Sequence, residues 1–166
     1  MKGIVEKAPI ETSGQQFYLP HKPVVREAAS TTKLRVVYDA STRASHDRPS
    51  LNECLNPGHP LLNRLWDVLV RQRVYPVAVS RDIRQAFLQI RVRESEQDAL
   101  RFHWRSQEEN EVETYRFTRV LFGLTPSPFL LNAVLEAHLD TWQKRCPDVV
   151  AGLRKSLYID DFLSGG

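Results

Sequence analysis

The chain has 166 residues, which is enough for one domain with a hydrophobic core and too few for two large domains. Its composition, 42% hydrophobic and 26% charged, is that of an ordinary globular protein, and no apolar run approaches the roughly 20 residues of a membrane-spanning helix. The formal charge of +3 is too small to indicate nucleic-acid binding by itself, so such a function depends on where the basic residues lie.

Two cysteines, Cys54 and Cys146, lie far apart and form no CxxC pair. This spacing argues against a disulfide framework and against a zinc site, and it suits a reducing compartment. The N-terminal residues are charged and show no signal-peptide core. These features predict an intracellular soluble protein with no membrane segment.

The first third of the chain is predicted to contain a hairpin between loops. Residues 1–16 are polar and without periodicity, which predicts a flexible lead-in. Two β-rich segments, Val24–Arg26 and Leu34–Tyr38, are predicted to be joined as a hairpin. Residues 41–60 are rich in Ser, Asn, Pro and Gly and are predicted to be a loop, with a short helix near Leu51–Leu55.

The middle of the chain mixes helical and strand patterns. Helical spacing of apolar residues predicts a helix from Leu61 to Arg71. A compact strand is predicted from Tyr75 to Ile83, and a second hairpin from Leu100–Trp104 with Thr114–Thr118. Because strands and helices do not alternate strictly, the pattern favours an α+β fold.

The last third is predicted to be helical until its final strand. Ser127 is a plausible N-cap and Pro128 suits the first turn of a helix that ends before Pro147. Helical structure is predicted to extend over Val149–Leu153, and Leu157–Asp160 is the last clear strand.

Three carboxylates stand at strand ends: Asp82, Asp160 and Asp161. A lone Asp after a strand is usually a turn residue, and an Asp-Asp pair is usually solvated. If the two strands pair in one sheet, however, the carboxylates converge and could hold two divalent ions about 3.5–4 Å apart for phosphoryl transfer. Hard oxygen ligands suit magnesium, and a bound cation would relieve the repulsion between adjacent carboxylates.

Four segments, in this order and at suitable spacing, resemble the reverse transcriptases of retroelements. VSRDIRQAFLQI, VLFGLTPSPFLLN and YIDDFLSG resemble motifs A, B and C of that family. The earlier segment YLPHKPVVREAASTTKLRVVYDAS resembles the fingers of BEL/Pao-type LTR retrotransposon polyproteins. The resemblance covers about residues 17–166.

The resemblance implies the fingers and palm subdomains of a right-hand polymerase, with an antiparallel palm sheet packed on helices. Fingers are expected over about residues 17–75 and palm over about 76–166, with a fingers insertion near 93–119. It also implies a partial domain that lacks the thumb, connection and RNase H regions. The hairpin after Asp161 is then expected to have a nearly missing return strand, Phe162–Gly166.

For the metal site, the resemblance implies that Asp82 and Asp160 are the principal ligands and that Asp161 is the third carboxylate. Two Mg²⁺ ions are expected, with Mn²⁺ as an alternative. Arg81 stands where relatives usually have a small or apolar residue, and strand alternation should point it away from the metals.

For the nucleotide, the resemblance gives Phe87 the sugar-discriminating position, with plain core packing as the alternative. Arg35 matches the fingers arginine along the triphosphate, where a guanidinium suits phosphate oxygens. Arg26 or Lys22 is a candidate for the second fingers cation, although either is equally consistent with a solvated strand edge.

Motif B and motif C imply further contacts. Phe122 and Gly123 match the position beside the nucleotide and template base, where glycine lets the backbone approach a ligand. Ser127 and Pro128 match primer–template positions but are better explained as the start of the helix. Tyr158 is expected near the primer terminus, with burial in the strand as an equal alternative.

The function expected from this resemblance is RNA-directed DNA polymerisation, with dNTPs added to a primer 3′-hydroxyl on an RNA or DNA template. The alternative is an inactive remnant or a co-opted fragment that only binds nucleic acid. A metal-dependent nuclease or phosphatase would leave the fingers and motif B segments unexplained. The family implies a cytoplasmic particle.

Overall fold

The computed structural model describes residues 3–12, 14–25, 34–105 and 110–165. The chain divides into two units, the first made of residues 1–56 and 91–125 and the second of residues 57–90 and 126–166. The helices and strands of the described residues, in chain order, are β1 (Val5–Lys7), β2 (His21–Val25), β3 (Leu34–Tyr38), α1 (Leu51–Cys54), α2 (Leu65–Arg73), β4 (Ala78–Asp82), β5 (Arg101–Arg105), β6 (Val112–Phe117), α3 (Ser127–Trp142), α4 (Pro147–Ser156), β7 (Leu157–Tyr158) and β8 (Asp161–Gly165). This mixture of helices and antiparallel strands confirms the α+β prediction.

The first unit contains two antiparallel sheets. One has the order β1–β6–β5, and the other is the β2–β3 pair, in which His21 lies opposite Tyr38. The β2 and β3 strands confirm the two predicted β-rich segments, while their connection lies outside the described residues. The two strands of the predicted second hairpin are present as the antiparallel pair β5 and β6, with Arg101 opposite Arg116, and part of their connection lies outside the described residues.

Val5–Lys7, within the predicted flexible lead-in, instead form β1 against β6. The cause is a set of partners far along the chain, which local patterning does not show. Glu6 accepts from the Arg116 guanidinium at 2.6 Å, and the Thr118 N–H donates to the Ile4 carbonyl at 2.9 Å. These contacts give the short strand tertiary support that its own sequence lacks.

A buried ion network stabilises the first unit. Asp98 Oδ1 accepts from Arg101 Nε at 3.0 Å and from Arg116 Nη1 at 3.1 Å, and all three residues are buried. Charges taken out of water are tolerated only where they are paired and hydrogen-bonded. The network therefore holds the 3₁₀ segment Glu94–Leu100 against β5 and β6.

The second unit has an antiparallel sheet of order β4–β8–β7, with α2 and α4 packed on it. Leu139, Val150 and Leu157 form one buried cluster of its core. The core is completed by partly buried apolar side chains, which include Phe162 from β8. Asn63 Nδ2 donates to the Arg154 and Leu157 carbonyls at 2.6 and 2.8 Å, which ties the end of α4 to the start of β7.

The returning strand of the last hairpin, expected to be nearly missing, is instead the central strand of this sheet. β8 has five residues, and all five pair with β4, from Asp161 opposite Asp82 to Gly165 opposite Ala78. The short partner is β7, whose two residues pair with Asp161 and Phe162. The sequence pattern did not show that β4 would lie on the far side of β8.

Two predicted helix starts differ from the structure. α2 begins at Leu65 rather than Leu61 and belongs to the second unit, and the fingers–palm boundary near residue 75 stays a prediction. α3 begins at Ser127 with Pro126 as its N-cap, so Ser127 is inside the helix and Pro128 is its second residue. The fixed φ of proline suits the residue that leads into the first turn, where an N–H has no intrahelical partner.

No helix among the described residues is long and apolar enough to cross a membrane.

Candidate active site

The pairing of β4, β8 and β7 brings the two distant carboxylate segments together. Asp82 lies directly opposite Asp161 on β8, and Tyr158 lies opposite Asp161 on the other side. Residues directly opposite each other in antiparallel strands have Cβ atoms about 4.5–5.5 Å apart and point to the same face. Asp82, Asp161 and Tyr158 therefore share one face of the sheet.

Asp160 occupies the loop between β7 and β8, next to this face. The preceding residue, Ile159, has a φ of 56°, which is strained for a β-branched side chain and costs on the order of 1–3 kcal/mol. The Ile83 N–H donates to the Asp160 carbonyl at 2.8 Å. This bond joins the residue after Asp82 directly to the loop, so the backbone holds the three aspartates as neighbours.

The electrostatics of Asp160 reflect these neighbours. Its pKa is raised, first because burial disfavours the charged form and also because Asp82 and Asp161 repel a third negative charge. A hydrogen bond from its own backbone opposes the shift in pKa. The arrangement is one that a bound cation would stabilise.

The carboxylates fit a hard divalent cation in their chemistry and in their backbone placement. In the part of the chain that the structure describes, no group of three or more His, Cys, Asp or Glu side chains is arranged to bind a metal. The three aspartate side chains therefore do not point at one common position in this structure. An aspartate side chain rotates about two torsions, and its terminal torsion is broad. The backbone register, rather than the present rotamers, therefore carries the metal-site prediction.

In the first unit, the Gly123 loop, which comprises Phe122–Thr125, is exposed at Phe122 and Gly123. Phe122 is 62% exposed, while Leu121 and Leu124 on either side are buried. Gly123 has a φ of +84°, and a Cβ built on it would meet no atom within 4 Å. The positive φ is therefore the reason for glycine at this turn, and the space beside its backbone is open.

The model of the family "Reverse transcriptase (RNA-dependent DNA polymerase)" matches residues 27–165. This chain belongs to the reverse transcriptase family. Its members generally use divalent metal ions and act on nucleic-acid template, primer and dNTPs. The match spans both units and includes both carboxylate segments.

The fold of this reverse transcriptase domain is also found in a solved viral structure. The crystal structure of the native prototype foamy virus protease–reverse transcriptase aligns with a TM-score of 0.65 over 99% of this chain, at 17% identity. The alignment covers 18% of the viral chain, so this domain spans less than a fifth of that protein. At this identity the similarity shows the fold alone. No significant match is found among curated proteins.

Arg81 faces away from the carboxylates of the reverse transcriptase domain. It lies opposite Phe162, one residue out of phase with the Asp82–Asp161 pair, as strand alternation predicts. Its guanidinium Nη1 lies 3.3 Å from the Ser80 carbonyl and donates to it. Among the described residues, no ion pair joins Arg81 to the three aspartates.

Phe87 begins a 3₁₀ turn, Phe87–Gln89, shortly after Asp82. Gln85 just before it has a φ of 53°, which turns the chain back after β4. The Phe87 ring is only 3% exposed. Such burial favours the core-packing alternative that the sequence left open, and the sugar-discriminating role stays a prediction.

The remaining predicted residues are distributed over both units. Arg35 is exposed on β3 opposite Val24, and Lys22 is exposed on β2. Arg26 lies outside the described residues. Ser127 is buried at the start of α3, and Tyr158 is half-buried on β7. Their contacts with a ligand stay predictions.

One residue that contacts the Gly123 loop was not predicted from the sequence. Asn52, on α1, donates from Nδ2 to the Gly123 carbonyl at 2.8 Å and accepts at Oδ1 from the Thr125 N–H at 2.9 Å. The only local signal was the capping box that starts α1, formed by Ser50 and Glu53. That pattern predicts the helix but not the long-range contact.

Proposed function

We propose that this reverse transcriptase domain provides the fingers and palm of an RNA-directed DNA polymerase that adds dNTPs to a primer 3′-hydroxyl. The first unit would correspond to fingers and the second to palm. The observation that carries the proposal is the register that sets Asp82 opposite Asp161, with Asp160 tied to Ile83 by a backbone hydrogen bond. Asp82 and Asp161 repel the charge of Asp160, and a bound cation would relieve that repulsion.

Asp82, Asp160 and Asp161 would hold two divalent cations, Mg²⁺ or alternatively Mn²⁺. Bound there, the cations supply activation of the attacking hydroxyl and neutralisation of the leaving pyrophosphate. The role of the chain is to set its carboxylates where these charges develop, with Asp82 and Asp161 on paired strands and Asp160 in the tight turn between β7 and β8. The strained φ of Ile159 supports this, because such strain persists where the surrounding structure enforces it.

The other side chains would orient the substrates. We propose that the Arg35 guanidinium binds the triphosphate, together with Arg26 or Lys22. Phe87 would exclude the ribose 2′-hydroxyl, and Tyr158 would lie near the primer terminus. These roles are supported by the motif resemblance.

Phe122 and Gly123 would lie beside the nucleotide and template base, and Ser127 and Pro128 near the primer–template. The open space beside the Gly123 backbone supports the first of these roles. We also propose a BEL/Pao-type retrotransposon origin, on the resemblance of residues 18–41 alone, and a cytoplasmic particle as the working environment that the family resemblance implies.

Primer extension tests the proposal. The purified chain is given poly(rA)–oligo(dT), dTTP and Mg²⁺, and we expect extension that falls at least about 100-fold in an Asp160→Asn, Asp161→Asn variant. Asp148→Asn, which removes an exposed carboxylate from the first turn of α4 in the same unit, is the matched control and should retain activity. A wild-type chain that does not extend the primer would contradict the proposal and favour an inactive remnant that at most binds nucleic acid.

A further inference from the structure

The side chain of Asn52 makes hydrogen bonds in two directions. Its Nδ2 group donates to the Gly123 carbonyl at 2.8 Å and to Ser41 Oγ at 3.0 Å, while Oδ1 accepts from the Thr125 N–H at 2.9 Å. The Thr125 hydroxyl returns a bond to the Asn52 carbonyl at 3.0 Å. One amide group thus engages a carbonyl and an N–H on either side of Leu124.

The position of Asn52 is itself well supported. Ser50 and Glu53 form a capping box around the start of α1, and Leu51 is buried. The Asn52 N–H donates to the Ala40 carbonyl at 3.0 Å. These contacts fix the backbone of Asn52. Its side-chain amide therefore loses little conformational entropy when it bonds to the Gly123 loop.

The Gly123 loop needs such support. Gly123 has no side chain that could pack, its φ is +84°, and no atom would lie within 4 Å of a Cβ there. Glycine has the greatest conformational freedom of any residue, so its backbone direction must be set from outside. The bonds from Asn52 fix the direction of the Gly123 carbonyl and of the Thr125 N–H together.

We propose that Asn52 is a positioning residue for nucleotide binding, which acts by holding the Phe122–Thr125 backbone in its binding conformation. This rests on the proposed function, in which Phe122 and Gly123 lie beside the incoming nucleotide. Asn52 does not touch the reacting atoms in this account. It sets the backbone that the nucleotide approaches.

Three variants separate the contributions of the amide. Asn52→Ala removes all three side-chain bonds. Asn52→Asp keeps the acceptor for the Thr125 N–H but loses the donor to the Gly123 carbonyl and places a negative charge near it. Ser41→Ala is the matched control, because it removes a bond of the same Nδ2 group and leaves the bonds to Gly123 and Thr125 in place.

Two measurements are made on each variant: amide hydrogen exchange across residues 121–125, and KM and kcat for dTTP in primer extension. We expect Asn52→Ala to speed exchange of the Thr125 amide and to raise KM for dTTP, each by about two- to tenfold, with a smaller change in kcat. Asn52→Asp should keep the slow exchange of the Thr125 amide while raising KM. Ser41→Ala should match the wild type in both measurements.

The two proposals fail in different ways. Wild-type exchange and wild-type KM in Asn52→Ala would overturn the positioning role, and so would equal changes in Ser41→Ala. Faster exchange without any change in KM would also overturn it, because the loop would then be loosened without consequence for the nucleotide. A wild-type chain that extends no primer would contradict the proposed function instead, and the positioning role would fall with it.

Discussion

Asp160 is the residue at which the two distant carboxylate segments meet. Its backbone accepts from Ile83, its side chain is repelled by Asp82 and Asp161, and the residue before it has a strained φ of 56°. The repulsion and the strained φ each cost free energy in the isolated fold, and the backbone hydrogen bond offsets part of that cost. Backbone strain and shifted pKa values of this kind are found preferentially at functional sites.

The buried ring of Phe87 allows a residue-scale test that separates packing from sugar discrimination. Phe87→Val should lower the free energy of unfolding by less than a Phe→Ala change does, which costs roughly 3–5 kcal/mol in a core. If Phe87 excludes the ribose 2′-hydroxyl, the same variant should also incorporate more ribonucleotide. Phe117→Val is the control, since Phe117 is also a buried phenylalanine but lies in the first unit. The assay compares rUTP with dTTP in primer extension. A folded Phe87→Val variant with unchanged preference would leave Phe87 as a core residue only.

Glu53 provides a pH-dependent test of the support for α1. Hydrogen bonds from Arg43 and then from Ser50 lower the pKa of Glu53 from 4.5 to about 2. Because the folded-state pKa is depressed, the ionised form stabilises the fold above about pH 4.5, and this contribution is lost as the pH falls towards about 2.

Carboxyl ¹³C NMR measures this titration directly. The Glu53 midpoint should lie near 2 and should move towards 4.5 in Arg43→Gln. Arg48→Gln removes the same charge from the same loop and should leave the midpoint low. An unshifted wild-type midpoint of 4.5 would show that the Arg43–Glu53 pair does not form in solution.

At the scale of the elements, the first unit depends on the buried network of Asp98. Asp98→Ala would leave the Arg101 and Arg116 guanidinium groups without their shared acceptor, and we expect a loss of about 3–5 kcal/mol in the free energy of unfolding. Urea denaturation followed by circular dichroism measures it. Lys7→Ala, which breaks the exposed pair with Glu113, is the control and should change stability far less. Equal effects of the two variants would mean that the network is not buried as the structure shows.

Elements with local signals were predictable, and elements defined by distant partners were not. The β2, β3, β5 and β6 strands lie in segments rich in β-branched and aromatic residues, and the α1 helix follows its capping residues Ser50 and Glu53. Val5–Lys7 have no such pattern, because their pairing is set by β6 over a hundred residues later. The central position of β8 likewise depends on β4, and no feature of Asp161–Gly165 alone indicates it.

At the scale of the whole molecule, the catalytic prediction was possible because Asp82, Asp160 and Asp161 stand in motifs whose order and spacing are distinctive. The prediction required that the strands carrying these residues pair in one sheet. The register of β4 with β8 meets this requirement. The role of Asn52 could not be predicted in the same way. Its contacts with Gly123 and Thr125 arise from tertiary structure, and a single asparagine in a loop-rich segment carries no spacing signal.

The central claim is that the three aspartates form a divalent-cation site, and Mn²⁺ binding followed by electron paramagnetic resonance tests it most directly. We expect the wild-type chain to bind Mn²⁺ in competition with Mg²⁺, and an Asp160→Asn, Asp161→Asn variant to bind it at least about tenfold more weakly. Asp148→Asn should bind as the wild type does. Equal Mn²⁺ affinity in the wild type and the double variant would contradict the account.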